Sequence, residues 1–108
     1  MKEIEKLKQM LKDNKIPCEV NSSYCKSIFG EGYIDRVAYP SVKNRVCYAI
    51  QGAGTYGNDE NLIEIMGLLT DEEKKRDSIV GYLTADEVFK RISTHYSKTH
   101  RVNTKHQR

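Results

Sequence analysis

Strand-like and helix-like patterns occupy separate parts of this 108-residue sequence. Apolar residues recur at helical spacing over residues 2–14 and again after residue 58, whereas residues 17–51 are rich in β-branched and aromatic side chains. Strands grouped together before helices favour an antiparallel sheet over the repeated β-α-β units of a parallel one. The sequence therefore predicts an α+β fold with an N-terminal helix, a small antiparallel sheet of three to four strands, and two or three C-terminal helices packed on one face.

The predicted sheet is built from three short runs separated by turn signals. We expect turns at residues 21–23 and 30–32 and a hairpin-sized link at residues 40–44. The strands themselves are predicted at Tyr24–Phe29, Tyr33–Tyr39 and Val46–Gln51. In the last of these, the alternation of side chains predicts that Val46, Tyr48 and Ile50 share the apolar face.

Three helices are predicted after the sheet, each from a local signal. A stripe of apolar residues at i, i+3, i+4 and i+7 predicts a helix over 59–69, formed by Leu62, Ile65, Met66 and Leu69. The capping-box pattern that starts at Thr70 predicts a short helix, and a second box at Thr84 predicts a helix over 85–96. On that last helix, Glu87 and Arg91 are spaced for an i, i+4 ion pair. Helices 59–69 and 85–96 are expected to cover one face of the sheet.

A glycine-rich segment, Gly52-Ala-Gly54-Thr-Tyr-Gly57, has the G-x-G-x-x-G spacing of dinucleotide-binding loops. Asp59 and Glu60 follow it at once, where their carboxylates would repel a phosphate. All three glycines also lie before the predicted helix, whereas the third glycine of a dinucleotide fingerprint packs that helix against its strand. We therefore predict no bound nucleotide. Tyr56 in this loop is instead a candidate contact residue for a partner.

Metal and catalytic patterns are weak in this sequence. Residues 76–87 place glycine and glutamate as a calcium loop does, but Arg76 and Val80 stand where oxygen ligands are needed. The histidines fall late in the chain, far in sequence from the three cysteines, and neither set has the spacing of a zinc site. The odd number of cysteines favours reduced thiols. We predict no catalytic residues, no metal and no cofactor.

Charge is distributed unevenly along the chain. Residues 59–77 carry seven acidic and three basic side chains, whereas residues 98–108 carry basic side chains and no acidic one. We predict a single α+β domain over 1–97 and a basic, disordered tail over 98–108, with a cytoplasmic location and no membrane span. The candidate interaction surface combines the glycine loop, the acidic residues and the tail: Gly54, Tyr56, Gly57, Asp59, Glu60, Lys98, Arg101 and Lys105.

Two segments, LIEIMGLLT and VGYLTADEVFKRI, resemble small uncharacterised proteins carried by prophages and related mobile elements of Gram-positive bacteria. The resemblance lies mainly over residues 48–92, and it implies a provenance rather than an activity. We expect a small non-enzymatic interaction protein that binds a host or phage protein, with homo-oligomerisation through a sheet edge also possible.

The alternative function is weak nucleic-acid binding through the basic C-terminal tail. Three basic residues near the predicted hairpin, Arg36, Lys43 and Arg45, could extend the patch, and Tyr39 and Tyr48 could stack on bases. Both tyrosines are predicted on the apolar faces of their strands, which favours core packing instead.

Overall fold

A computed structural model describes the backbone of residues 1–106 and the side chains of residues 1–100. The fold is α+β, as predicted, with one sheet and helices before and after it. A 3-10 turn, Asn58–Glu60, lies between the third and fourth strands. The remaining elements follow in chain order: α1 (Glu3–Asp13), β1 (Glu19–Ser27), β2 (Gly30–Tyr39), β3 (Cys47–Gly52), β4 (Ile63–Met66), α2 (Asp71–Arg76), β5 (Ile79–Leu83) and α3 (Ala85–His106).

The sheet has five strands rather than three to four, and neighbours in sequence are neighbours in space, in the order β1-β2-β3-β4-β5. Every pairing is antiparallel. The two strands that sequence analysis missed, β4 and β5, are short and lie among helix signals. Short apolar runs of this kind fit a strand and a helix almost equally well, so their pairing partners decide between the two.

The predicted helix over 59–69 is wrong. Residues Ile63–Met66 form strand β4, in which Ile63 and Ile65 are fully buried and Met66 is exposed. Apolar residues in this run occur at alternate positions, as in a strand, and also at helical spacing. Because the run pairs with β3, it forms a strand. Gly67 then ends the strand at a positive φ of 88°, where a Cβ would overlap the carbonyl oxygen of Val46.

The first hairpin also differs from its prediction. Residues 21–23 lie inside β1 and not in a turn, because serine and asparagine on an exposed edge strand can face water. The chain reverses at Ile28 and Phe29, since Ser27 pairs directly with Gly30. Residues 30–32 therefore open β2 rather than linking two strands.

The core lies between one face of the sheet and helices α1 and α3, which also contact each other. On β3 the buried face carries Cys47, Ala49 and Gln51, so the predicted apolar face of Val46, Tyr48 and Ile50 is the wrong one. Small side chains at 47 and 49 leave room for α1 above the strand. The core residues with no exposed surface at all are Ile4, Leu7, Leu11, Ile63, Ile65 and Val88.

The two predicted capping boxes, which start at Thr70 and Thr84, are both confirmed. Thr70 and Glu73 form the predicted capping box of α2. At the start of α3, the Glu87 amide donates to Thr84 Oγ1 and the Thr84 amide donates to Glu87 Oε1, at 3.2 and 2.9 Å. Arg91 binds Glu73 of α2 instead of the predicted Glu87.

Helix α3 begins where predicted and its backbone continues past residue 96 to His106. The disordered tail predicted over 98–108 falls largely on residues outside those whose side chains are described, so it stays a prediction. Among the helices that the structure describes, none has the length and apolar character required to cross a lipid bilayer.

Candidate functional site

The glycine loop connects two strands rather than a strand and an α-helix. The loop is closed at its start by Thr55, whose hydroxyl donates to Gly52 O at 2.8 Å and whose amide donates to the same oxygen at 3.0 Å. The chain then makes the 3-10 turn Asn58–Glu60 and enters β4. A phosphate cradle uses the N-terminal amides of an α-helix, and no α-helix begins at this loop.

The loop forms one wall of an open cleft with a volume of about 380 Å3, which we call the glycine-loop cleft. Phe29 from the first hairpin and Tyr82 from β5 complete it, together with residues 54–60. Five of the predicted interaction residues therefore come together: Gly54, Tyr56, Gly57, Asp59 and Glu60. Phe29 and Tyr82 were not among the predicted residues, because neither is near the loop in sequence and no local pattern links them to it.

Three aromatic side chains in this cleft, Phe29, Tyr56 and Tyr82, are each more than half exposed. They come from three separate segments: a two-residue turn, the glycine loop and an edge strand. Large aromatic side chains gain by leaving water, so their convergence around one cleft marks a surface suited to a partner.

The position of Tyr56 is fixed by its surroundings. Its amide donates to Glu64 Oε1 at 2.8 Å, and Glu64 is a buried carboxylate on β4. Behind it lies Gly81 of β5, where an added Cβ would overlap the Cβ of Tyr56. Gly57 has a positive φ of 96°, and a Cβ there would lie 2.9 Å from the Tyr82 amide nitrogen. These close approaches pack the glycine loop tightly against β5.

The residues that line the cleft include two acidic ones. Asp59 and Glu60 are exposed there, and among side chains 1–100 no lysine, arginine or histidine lines the cleft. Within the part of the chain whose side chains are described, neither carboxylate takes part in a salt bridge. A cationic group entering the cleft would meet aromatic faces and two free carboxylates together.

Of the predicted basic residues, the one whose side chain is described, Lys98, does not line this cleft. Lys98 lines another one, of about 460 Å3, with Leu68, Leu69 and residues of α3. Arg101 and Lys105 lie outside the residues whose side chains are described. The structure thus brings the loop residues and the acidic residues of the predicted surface into one site, and it places Lys98 elsewhere.

The described tyrosine, histidine and cysteine side chains outside the cleft show no arrangement typical of a catalytic site. Tyr39 Oη and His95 Nδ1 share a hydrogen bond of 2.7 Å between β2 and α3. The three cysteines are free, and burial raises the pKa of the Cys47 thiol to about 12 and also raises that of Cys18. Protonated thiols are poor nucleophiles and poor metal ligands. Among the described residues, no group of three or more His, Cys, Asp or Glu side chains could hold a metal ion.

Comparison with protein-family models, with curated proteins and with solved structures finds no match to this chain. The resemblance of residues 48–92 to proteins of mobile elements therefore stays a prediction. The functional interpretation rests on the geometry and charge of the glycine-loop cleft.

Proposed function

We propose that this protein is a non-enzymatic interaction protein that binds a partner protein at the glycine-loop cleft. The observation that carries the proposal is the convergence of three exposed aromatic side chains with two carboxylates that make no salt bridge to any described side chain, all in one cleft. We extend the proposal to a phage or mobile-element origin, a cytoplasmic location, and a host or phage protein as the partner.

The chemistry of the cleft favours a cationic side chain on the partner. A lysine ammonium or an arginine guanidinium can lie over the ring of Tyr56 or Tyr82 while its charge faces Asp59 and Glu60. Aromatic residues in well-defined pockets tend to contribute most of the binding energy, and exposed charges mainly steer the encounter. The aromatic residues should therefore set the lifetime of the complex, and the carboxylates should set its dependence on salt.

The test is affinity capture from a Gram-positive lysate at moderate salt, followed by mass spectrometry. The double variant Asp59→Asn/Glu60→Gln should capture less of the partner than the unaltered protein does, because the carboxylates steer its approach. Asp71→Asn/Glu72→Gln is the matched control, because it removes the same charge from two exposed residues of α2. Capture that is unchanged by the first double variant, or that yields no specific protein, would refute the proposal.

A second variant separates aromatic contact from charge. Tyr56→Ala should weaken binding of the captured partner by about 2 kcal/mol, or about 30-fold, as expected for an aromatic hot spot. Isothermal titration calorimetry with the purified partner measures this loss. An effect within about twofold would place the binding surface outside the cleft.

Nucleic-acid binding is the second candidate, and one contact favours it. Tyr48 lies on the sheet face opposite the core, with the Arg45 guanidinium 4.6 Å from its ring centre. Tyr39, the other tyrosine considered for base stacking, is buried and bonded to His95. If this candidate is right, fluorescence anisotropy with a single-stranded oligonucleotide should detect salt-dependent binding that disappears when residues 98–108 are deleted.

A further inference from the structure

The two edges of the sheet differ in how well they are protected against pairing with another strand. Strand β5 spans only Ile79–Leu83, its pairing with β4 has a register shift, and Tyr82 has a positive φ of 62°. Strand β1 spans Glu19–Ser27, contains no proline, and pairs with β2 in a continuous register. Short, irregular edges discourage edge-to-edge association, and long, regular ones invite it.

The hydrogen-bonding groups on the open edge of β1 can be assigned from its neighbours. The Ala53 amide donates to Tyr33 O at 3.3 Å, so the backbone of Tyr33 faces β3 and turns away from β1. Tyr24 lies opposite Tyr33, and its own amide and carbonyl therefore point to the open edge. By the alternation of a strand, the backbone groups of Val20 and Ser22 point there too.

None of these three residues carries the charge that would protect the edge, and the side chains of Val20 and Tyr24 are largely apolar. Val20 and Tyr24 are each more than half exposed, and the Tyr24 ring rests edge-on against that of Tyr33 with 5.6 Å between ring centres. No charged residue lies between Glu19 and Lys26. Edge strands that stay unpaired usually carry a central lysine, a proline or a bulge, and β1 has none of these.

We propose that β1 pairs antiparallel with β1 of a second copy of this chain, across a two-fold axis through Ser22. A two-fold axis perpendicular to the sheet requires that residues opposite each other lie on the same face of it. With Ser22 opposite itself, Val20 lies opposite Tyr24 of the second copy, and Tyr24 lies opposite Val20 of the second copy. The register matches apolar side chains and places no two like charges opposite each other.

A groove beside the edge supports the same arrangement. The groove has a volume of about 520 Å3, and Lys8, Lys12, Ile16 and Val20 are among the residues that line it. Because Tyr24 of the second copy pairs with Val20, its ring lies next to this groove. The apolar floor can take the ring, and the lysines at the rim can approach its face. A second copy of the chain therefore accounts for both the open edge and the groove.

Analytical ultracentrifugation of the full chain tests the dimer. At high micromolar concentration the mass should be twice 12.5 kDa. Tyr24→Lys and Val20→Lys should each weaken the dimer at least about tenfold, because each places charge opposite an apolar residue twice in the interface. Met66→Lys is the control, since Met66 is an exposed residue of β4 and should leave the dimer intact.

Far-UV circular dichroism of each variant verifies that it is folded. Two edge variants are used so that the test still stands if one of them does not fold. A monomeric mass for the unaltered chain overturns the proposal. A dimer that both edge variants leave unchanged overturns it as well, because the interface would then lie elsewhere.

A disulfide test checks the register. In a chain that carries Cys18→Ser and Cys25→Ser, Ser22→Cys should form an intermolecular disulfide under mild oxidation, since directly opposite residues lie about 5.5 Å apart in Cα. Tyr24→Cys in the same background should cross-link poorly, because its opposite residue is Val20. The reverse result, with Tyr24→Cys the efficient variant, would overturn the Ser22-centred register.

Discussion

A single arginine–glutamate pair connects two helices that sequence analysis treated separately. Arg91 of α3 donates from Nη1 and Nη2 to the two carboxylate oxygens of Glu73, at 2.7 and 2.8 Å, and Nη1 also donates to Leu68 O at 3.0 Å. Helical spacing pointed to Glu87 as the partner. Glu87 is already bonded to Thr84, and the paired geometry with Glu73 is the stronger contact.

We predict that Glu73→Gln lowers the free energy of unfolding at pH 7 by about 1–2 kcal/mol. The substitution removes the bidentate, half-buried ion pair with Arg91. The hydrogen bond from Arg91, and after it the one from the Thr70 amide, lower the pKa of Glu73 to about 2 from 4.5. A lowered folded-state pKa stabilises the protein above the unfolded-state pKa, and this contribution is lost as the pH falls from 4.5 towards 2.

Urea denaturation at neutral pH and at a pH near the folded-state pKa measures this dependence. The difference between the unaltered protein and Glu73→Gln should shrink at the lower pH. Glu72→Gln is the matched control, because Glu72 is exposed on the same helix and its ion pair with Lys75 is solvated. A Glu73→Gln effect that is the same at both pH values would contradict the assigned role.

Gly81 is a second residue whose role is steric. An alanine Cβ at this position would overlap the Cβ of Tyr56, and backbone atoms of Tyr56 lie close behind. We predict that Gly81→Ala displaces Tyr56 from the glycine-loop cleft and destabilises the fold by about 1–3 kcal/mol. Two-dimensional NMR should show shifted Tyr56 ring resonances. Ser78→Ala, an exposed change beside the same strand, should leave these resonances in place.

At the scale of elements, the sequence predicted helices from their caps and apolar stripes, but it did not predict which strands pair. Helices α1, α2 and α3 were predicted because caps and apolar stripes lie within a few residues of each other. Strand β4 was missed because the apolar run that forms it fits a helix until β3 lies beside it. The cleft was half predicted for the same reason: its loop residues are contiguous in sequence, whereas Phe29 and Tyr82 reach it only through the fold.

A cluster of polar side chains, which no sequence pattern predicted, connects the N-termini of α1 and α3. We call it the polar junction. Gln51 Oε1 accepts from the Ile4 amide at 2.8 Å, and Gln51 Nε2 donates to Asn61 Oδ1 at 2.7 Å. Glu3 Oε1 accepts from the Ala85 amide, also at 2.8 Å. Asn61 Oδ1 also accepts from the Glu3 amide at 3.1 Å. Side chains from β3, α1 and the segment before β4 thus satisfy amides at the start of α1 and α3, which have no partner inside their own helices.

We predict that Gln51→Leu lowers the free energy of unfolding by about 1–3 kcal/mol, because Gln51 is buried and its loss leaves the Ile4 amide without an acceptor. Chemical denaturation followed by circular dichroism measures the change. Gln9→Leu makes the same substitution at an exposed position of α1, and it should change stability by less than about 0.5 kcal/mol. Equal effects of the two substitutions would show that the junction contributes little.

At the scale of the whole molecule, the first and last helices enclose one core against one sheet. Helix α1 contacts β2, β3 and α3, and α3 contacts β4. Leu7 of α1 and Ile92 of α3 belong to the same buried cluster as Ile65 of β4. Residues far apart in sequence therefore depend on each other, and the helices cannot leave the sheet without exposing its apolar face.

We predict that Leu7→Ala costs about 2–5 kcal/mol of stability, because Leu7 is fully buried in the core that α1 shares with β2, β3 and α3. Since those elements share the core, the loss should lower the midpoint of one common transition and should not melt α1 alone. Circular dichroism at 222 nm reports the helices. Tyrosine fluorescence reports mainly the sheet, because five of the seven tyrosines lie on its strands: Tyr24, Tyr33, Tyr39, Tyr48 and Tyr82. Coincident transitions in Leu7→Ala are expected, and a helical signal that is lost before the tyrosine signal would show that α1 is an independent unit.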